Sequence, residues 1–343
     1  MNIKNLNKKI NEYATSEGFS GMIFVRQSDN LLYERYIGYE NEEKKIPFSS
    51  NSMFTIYSIS KFLCSLGFMK LVDRGLVDIH EHPSKYLPEA MGFDERITIF
   101  HLLHHTSGIN DALQKEEIKL LYENDDTKTP RELIKLLTHY PAIFIPGEAA
   151  LYSNANYMIL ALIIENVTKM NYADYMKTEV FTPLGMKNSM VDRKGLEIKN
   201  RVQGYAKVGG KIVTTNKCYF AMFGAGDVIA NAEDVYKLYF AIKDRLLVSE
   251  EAWNTILTPS PLNNMGCGCT VAKWHGYKRI VNNGGCDGFR AMHFFIPEKD
   301  FDVIILSNYG FGEARATIAE FIYEAFFDSD GETAKIEMDK GYI

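Results

Sequence analysis

The sequence predicts an α+β fold, in which an antiparallel sheet flanked by terminal helices is interrupted by an inserted, mostly helical segment. Three observations predict it. Runs rich in β-branched and aromatic residues lie near both ends of the chain, helical periodicity dominates between them, and a helix-like segment sits outside the strands at each end. If the terminal strands share one sheet, the helical middle is an insertion. We therefore expect residues 1–78 and 262–330 to form a discontinuous sheet domain and 79–261 a mostly helical domain. The active site should lie in the cleft between them, with 331–343 as a frayed tail.

Residues 5–16 read as a short amphipathic helix. The stretch 20–41 reads as two strands joined at Ser28-Asp29-Asn30. Phe54-Thr55-Ile56-Tyr57 leads into a helix in which Phe62, Leu66 and Met69 recur at helical spacing and Gly75 supplies a stop. Thr129-Pro130-Arg131-Glu132 is a capping box with proline at the first helical position. Asn154 is placed to cap the apolar helix that follows it, and 231–244 reads as a further amphipathic helix. Strands return after about residue 265, ending in a hairpin that turns at Pro297-Glu298-Lys299-Asp300, and a helix over 314–327 closes the fold.

Composition excludes several classes of function. With 38 Lys+Arg against 44 Asp+Glu the net charge is −6, which argues against nucleic acid as a partner. A hydrophobic fraction of 46% excludes pervasive disorder. The longest apolar run, Tyr157 to Ile164, is too short to span a bilayer. The polar N-terminus has no signal-like apolar stretch, so the expectation is a cytoplasmic protein, or one whose leader has been removed. Cys64, Cys218, Cys267, Cys269 and Cys286 are too sparse for a disulfide framework. The oligomeric state is not legible.

Three short motifs carry chemistry. In Ser58-Ile59-Ser60-Lys61, positions i and i+3 share a helix face, so an amine lies within reach of the Ser58 hydroxyl. An unassisted serine is a weak nucleophile and needs such a neighbour. Ser60 is the rival serine, but no lysine stands at its i+3. In Tyr152-Ser153-Asn154, a tyrosine beside a cation can serve as a base and an amide can orient a carbonyl. In Asn282-Asn283-Gly284-Gly285, glycines on a strand admit a ligand to the backbone, and an N–H there could pair with that of Ser58 as an oxyanion hole. Each motif alone also has a bland reading, as a helix cap, a buried tyrosine or a turn. His101, His104 and His105 share a helix face but lack the carboxylate of a zinc motif, so no metal is expected. Gly224-Ala225-Gly226-Asp227 lacks the third glycine of a dinucleotide fingerprint, and no G-x-S-x-G elbow is present.

Together the motifs resemble the serine β-lactamase and penicillin-binding-protein superfamily, in particular its class C β-lactamase-like branch, over about residues 18 to 310. FTIYSISKF (54–62) resembles the nucleophile segment, and ITIFHLLHHTSGI (97–109) the family's histidine-threonine-serine-glycine segment. IPGEAALYSNANYMIL (145–160) resembles the segment with the tyrosine and asparagine, and PLGMKNSM (183–190) and GFRAMHFFIPEKDFDVIILSN (288–308) also match in order. The resemblance implies a β-lactamase/transpeptidase-like fold. It also implies an acyl-enzyme on Ser58, with proton transfer by Lys61 and Tyr152, the choice of base between them left open. Asn154 would orient the substrate, the N–H groups of Ser58 and Gly285 would hold the oxyanion, and no cofactor is needed.

Counting back from Gly288-Phe289 places Asn282 where the family carries Lys or His, and Ala291 where many members carry serine. A neutral amide brings no charge to a substrate carboxylate. The expectation is therefore a small ester, amide or β-lactam as substrate, with β-lactam hydrolysis weak or absent. The alternative is a catalytically weakened relative that binds a ligand or partner.

Overall fold

A computed structural model describes residues 2–111, 129–193, 195–215, 222–286 and 288–327. The expected tail and Cys218 lie outside these residues. Six strands form the main sheet: β1 (Gly21–Gln27), β2 (Asn30–Ile37), β3 (Thr270–Trp274), β4 (Tyr277–Cys286), β5 (Phe289–Ile296) and β6 (Phe301–Ser307). Their order is β3-β4-β5-β6-β1-β2, every neighbouring pair antiparallel. The two ends of the chain meet where β1 pairs β6, Gly21 opposite Ser307 and Gln27 opposite Phe301. The expected hairpin turns through Pro297–Lys299, with Asp300 in the left-handed region at φ 48°.

Among the helices of the described residues are α1 (Ile3–Tyr13), α2 (Ser60–Asp73), α3 (Asn154–Thr168), α4 (Ala232–Lys243) and α5 (Ala314–Phe326). Helix α1 begins two residues before its expected start because the Asn2 side chain accepts from Asn5 N–H at 3.0 Å. The period of two in a strand splits β1 and β6 between two cores. Met22, Phe24, Ile304 and Leu306 join the core of the helical region, whereas Ile23, Val25, Val303 and Ile305 join Leu6 and Ile10 of α1 and Ile318 and Ile322 of α5. Each such side chain taken fully out of water contributes roughly 1.5–3 kcal/mol, which makes the central strands a two-sided anchor.

Helices α2 and α3 are apolar around most of their circumference and are accordingly enclosed, with Phe62, Leu63, Leu66 and Ile159 to Leu162 at most 1% exposed. The capping box at Thr129 is present as read, Thr129 accepting from Glu132 N–H and Glu132 from Thr129 N–H. The region between the terminal strands also contains short strands, among them a hairpin of Tyr205–Val208 with Lys211–Thr214, which the mostly helical expectation omits. Among the described residues no helix is long and apolar enough to cross a membrane.

Candidate active site

Ser58 sits on a single 3-10 turn, Tyr57–Ile59, that feeds directly into α2. In such a turn side chains at i and i+3 nearly eclipse, so Lys61 is stacked over Ser58 and its Nζ lies 3.1 Å from Ser58 Oγ. Tyr57 enters the turn at φ 42°, an uncommon region for a bulky residue, so local strain is held at the residue preceding the hydroxyl. The rival Ser60 is fully buried and its Oγ accepts from Val228 N–H at 3.0 Å, so it is spent on the fold.

Tyr152, 94 residues further on, places its Oη 2.7 Å from Ser58 Oγ. Lys61 Nζ lies 4.7 Å from the centroid of the Tyr152 ring. It also donates to Asn154 Oδ1 and to the carbonyl of Ala225, each at 2.7 Å. The Lys61 side chain is buried, whereas Ser58 is partly exposed and Tyr152 36% exposed, so the hydroxyl and phenol are reachable from solvent. The structure thus brings together Ser58, Lys61, Tyr152 and Asn154.

Asn154 does not cap α3 with its side chain. Ser153 holds the cap position without a side-chain bond, and the N–H groups of Asn154 and Ala155 donate instead to Asp111 Oδ2 at 2.7 and 3.4 Å. A carboxylate from another segment satisfies the helix end, which releases the Asn154 amide to Lys61. Burial raises the Asp111 carboxyl above the usual range, opposed by those N–H donors and by Lys61.

Strand β4 runs against the Ser58 turn. A Cβ at Gly284 would lie 1.9 Å from Ile56 O and 3.2 Å from Ser58 N, so this strand approaches the nucleophile turn only because position 284 has no side chain. Gly285 beside it is exposed. On the opposite side of the strand pair, the Arg315 guanidinium donates to Gly284 O at 2.9 Å and Ala291 O at 3.3 Å, and burial pulls it down to about 10. Gly284→Ala is expected to cost about 1–3 kcal/mol, since backbone cannot yield to the methyl group as a side chain can. Chemical denaturation would measure this, and unchanged stability would show that β4 does not press on the turn.

The Asn282 side chain has its partner within the sheet. It lies on the same face of β4 as Gly284, but its amide is fully buried and its Nδ2 donates to His293 Nδ1 at 3.1 Å. His293 in turn bonds Asp302 Oδ2 through Nε2 at 2.7 Å, and burial raises the Asp302 carboxyl. The hairpin register sets this outcome, since Asn282 stands directly opposite His293. Sequence reasoning missed the Ala225 carbonyl, Asp111 and His105, which stacks on Tyr152 with centroids 4.5 Å apart. The discounted glycine segment proves to be the turn that supplies Ala225. There a Cβ at Gly224 would meet Ala161 Cβ at 2.4 Å, so the turn can lie tight on α3. His101 completes a capping box with Thr98, and His104 stacks on Phe100 at 4.1 Å.

Comparison with known proteins bears on this constellation. The Beta-lactamase family model matches residues 6–325. The candidate penicillin-binding protein PbpX of Bacillus subtilis is 29% identical over 303 residues, covering 88% of this chain and 74% of that protein. The penicillin-binding protein from Bacillus halodurans superposes with a TM-score of 0.82 at 22% identity, over 94% of this chain and 99% of that one. D-amino acid amidase from Ochrobactrum anthropi does so with a TM-score of 0.81 at 19% identity, over 95% and 99%. With a hydroxyl, an amine and a phenol converging on a fold of this kind, and a family match across nearly its whole length, the chain belongs to the Beta-lactamase family and is a serine hydrolase of the serine β-lactamase and penicillin-binding-protein superfamily.

Proposed function

We propose that this chain is an esterase, amidase or peptidase of the class C β-lactamase-like branch. It acts on small substrates through a Ser58 acyl-enzyme, with β-lactam hydrolysis weak or absent. The observation that carries this reading is the pair of contacts to Ser58 Oγ, 2.7 Å from Tyr152 Oη and 3.1 Å from Lys61 Nζ.

Lys61 has three acceptors around its nitrogen: Ser58 Oγ, Asn154 Oδ1 and Ala225 O. An ammonium has three N–H bonds to give, so this shell suits the charged form and leaves no lone pair for a base. Tyr152, whose Oη lies 2.7 Å from Ser58 Oγ, is then the group that takes the Ser58 proton. As the Oγ–H bond breaks, the proton moves to Tyr152 Oη and Oγ bonds the substrate carbonyl carbon, whose oxygen becomes the oxyanion. The N–H groups of Ser58 and Gly285 receive that charge. Collapse expels the leaving group, which takes the proton back from Tyr152. Water then attacks the acyl-enzyme by the same route, and free Ser58 returns.

Two features support an uncharged substrate. The strand position that carries Lys or His in the family is Asn282, whose side chain is buried, so it offers no cation to a carboxylate. Leu151, the residue before Tyr152 in the chain, is 50% exposed, so apolar surface adjoins the tyrosine.

The test is a panel of esters, D-amino-acid amides and β-lactams, read by intact mass and by peptide mapping. An acyl adduct on the Ser58 peptide from esters or amides is expected, and none or a slow one from β-lactams. Tyr152→Phe should lower turnover by roughly 10²- to 10⁴-fold. Full turnover in that variant would hand the role of base to Lys61, and no adduct with any reagent would favour the ligand-binding alternative.

A further inference from the structure

We propose that His105 is a positioning residue for the reaction, holding the Tyr152 phenol against Ser58 by gripping the main chain on both sides of it and supporting its ring. The proposal rests on the reading of Tyr152 as the proton acceptor. Three contacts converge on three consecutive residues. Leu151 N–H donates to His105 O at 3.0 Å, Ser153 N–H donates to His105 Nδ1 at 3.1 Å, and the imidazole stacks on the ring of Tyr152 at 4.5 Å and 26°. His105 can offer its carbonyl and its ring to the same short segment because its own backbone is left-handed, at φ 58°. Histidine and asparagine tolerate that region better than most residues.

The chemistry of the ring separates positioning from packing. For Nδ1 to accept from Ser153, the imidazole must be neutral and carry its proton on Nε2. Nε2 is buried, with no hydrogen-bond partner among the described residues. A residue present only to fill volume gains nothing from an orphaned polar nitrogen, and phenylalanine would fill the same space without it. What the imidazole adds is the Nδ1 acceptor, and that acceptor is spent on the residue next to Tyr152. Asn156 steadies the ring from α3: its Nδ2 lies 3.4 Å from Nδ1 while its Oδ1 accepts from Ser107 at 2.8 Å.

The titratable groups around His105 are Lys61 from α2, Tyr152 from the loop before α3, Tyr157 from α3, and its own neighbour His104. Burial, with Lys61 adding to it, holds the imidazole well below its usual range, so the acceptor persists through ordinary assay conditions.

The test is a double-mutant cycle on p-nitrophenyl acetate hydrolysis, with wild type, His105→Asn, Tyr152→Phe and the double variant. Asparagine keeps the left-handed backbone accessible but cannot support the phenol ring. The expected result is a kcat loss of roughly 10- to 100-fold for His105→Asn, of the size a small misplacement of a catalytic group causes, with KM changed by less than about twofold. In the Tyr152→Phe background the same substitution should add almost nothing, since the group it positions is already gone. A loss that recurs in full in that background, or wild-type kcat in the single variant, would overturn the proposal. If Tyr152→Phe is itself fully active, the assignment of Tyr152 has failed and the role of His105 falls with it. Should His105→Asn not fold, His105→Phe, which keeps the stack and removes the acceptor, takes its place in the cycle.

Discussion

Ser58→Ala is expected to abolish the acyl adduct and to reduce ester turnover by roughly 10⁴-fold or more. The variant deletes one oxygen that accepts from Lys61 at 3.1 Å and meets Tyr152 at 2.7 Å, and it leaves the turn and α2 in place. Thermal stability should therefore change little, because the hydroxyl is partly exposed and its partners keep other contacts. Lys61 retains Asn154 and Ala225, and Tyr152 retains its stack on His105. Ser60 cannot replace the lost nucleophile, being fully buried and engaged with Val228. Nitrophenolate release from Ser58→Ala at even a tenth of the wild-type rate, about 1.4 kcal/mol of barrier, would show that chemistry runs elsewhere.

Lys61→Met should be nearly as damaging, by roughly 10²- to 10⁴-fold in kcat. Methionine fills the volume of the buried stem, so no cavity opens in α2. What disappears is the ammonium beside Ser58 Oγ and the Tyr152 ring, together with the donor to Asn154 and Ala225. The Asn154 amide can turn toward solvent, but the Ala225 carbonyl sits in a buried contact and is left unpaired, at about 1–3 kcal/mol of stability. Offsetting that cost, an ammonium no longer has to be held away from water. The diagnostic is therefore the separation of the two readouts: a folded protein with a stable melting profile and almost no turnover. Wild-type turnover in Lys61→Met would mean that the three acceptors serve only to satisfy a structural lysine.

Both predictions concern residues that were visible in the sequence for a simple reason. Ser58 and Lys61 are three apart, and a helical turn converts that spacing into contact without help from the rest of the chain. Tyr152 and Asn154 were legible as a motif, but their link to the lysine and serine came only through a resemblance, because they stand 91 to 96 positions further along the chain. Two of the groups that sequence reasoning missed act in part through features with no signature of residue type. Ala225 acts through its carbonyl, which every residue possesses. His105 acts through its carbonyl and a left-handed backbone as well as through its imidazole. Asp111 was invisible as a cap because it belongs to a different segment from the helix it serves.

The β-branched and aromatic runs near both ends of the chain and the apolar helical stretches between them were legible in the sequence, as was the placing of Ser58 and Lys61 one helical turn apart. Period and local spacing are properties of the chain, and burial of apolar faces enforces them. Only the tertiary structure decided where the polar groups spend their hydrogen bonds. Asn154 serves Lys61 because Asp111 caps its helix, and Asn282 turns to His293, itself held by Asp302, because the β4–β5 register sets it opposite that histidine. A buried polar group must be satisfied by whatever the fold brings beside it, and that neighbour is fixed by register and packing rather than by the residues on either side of it in the chain.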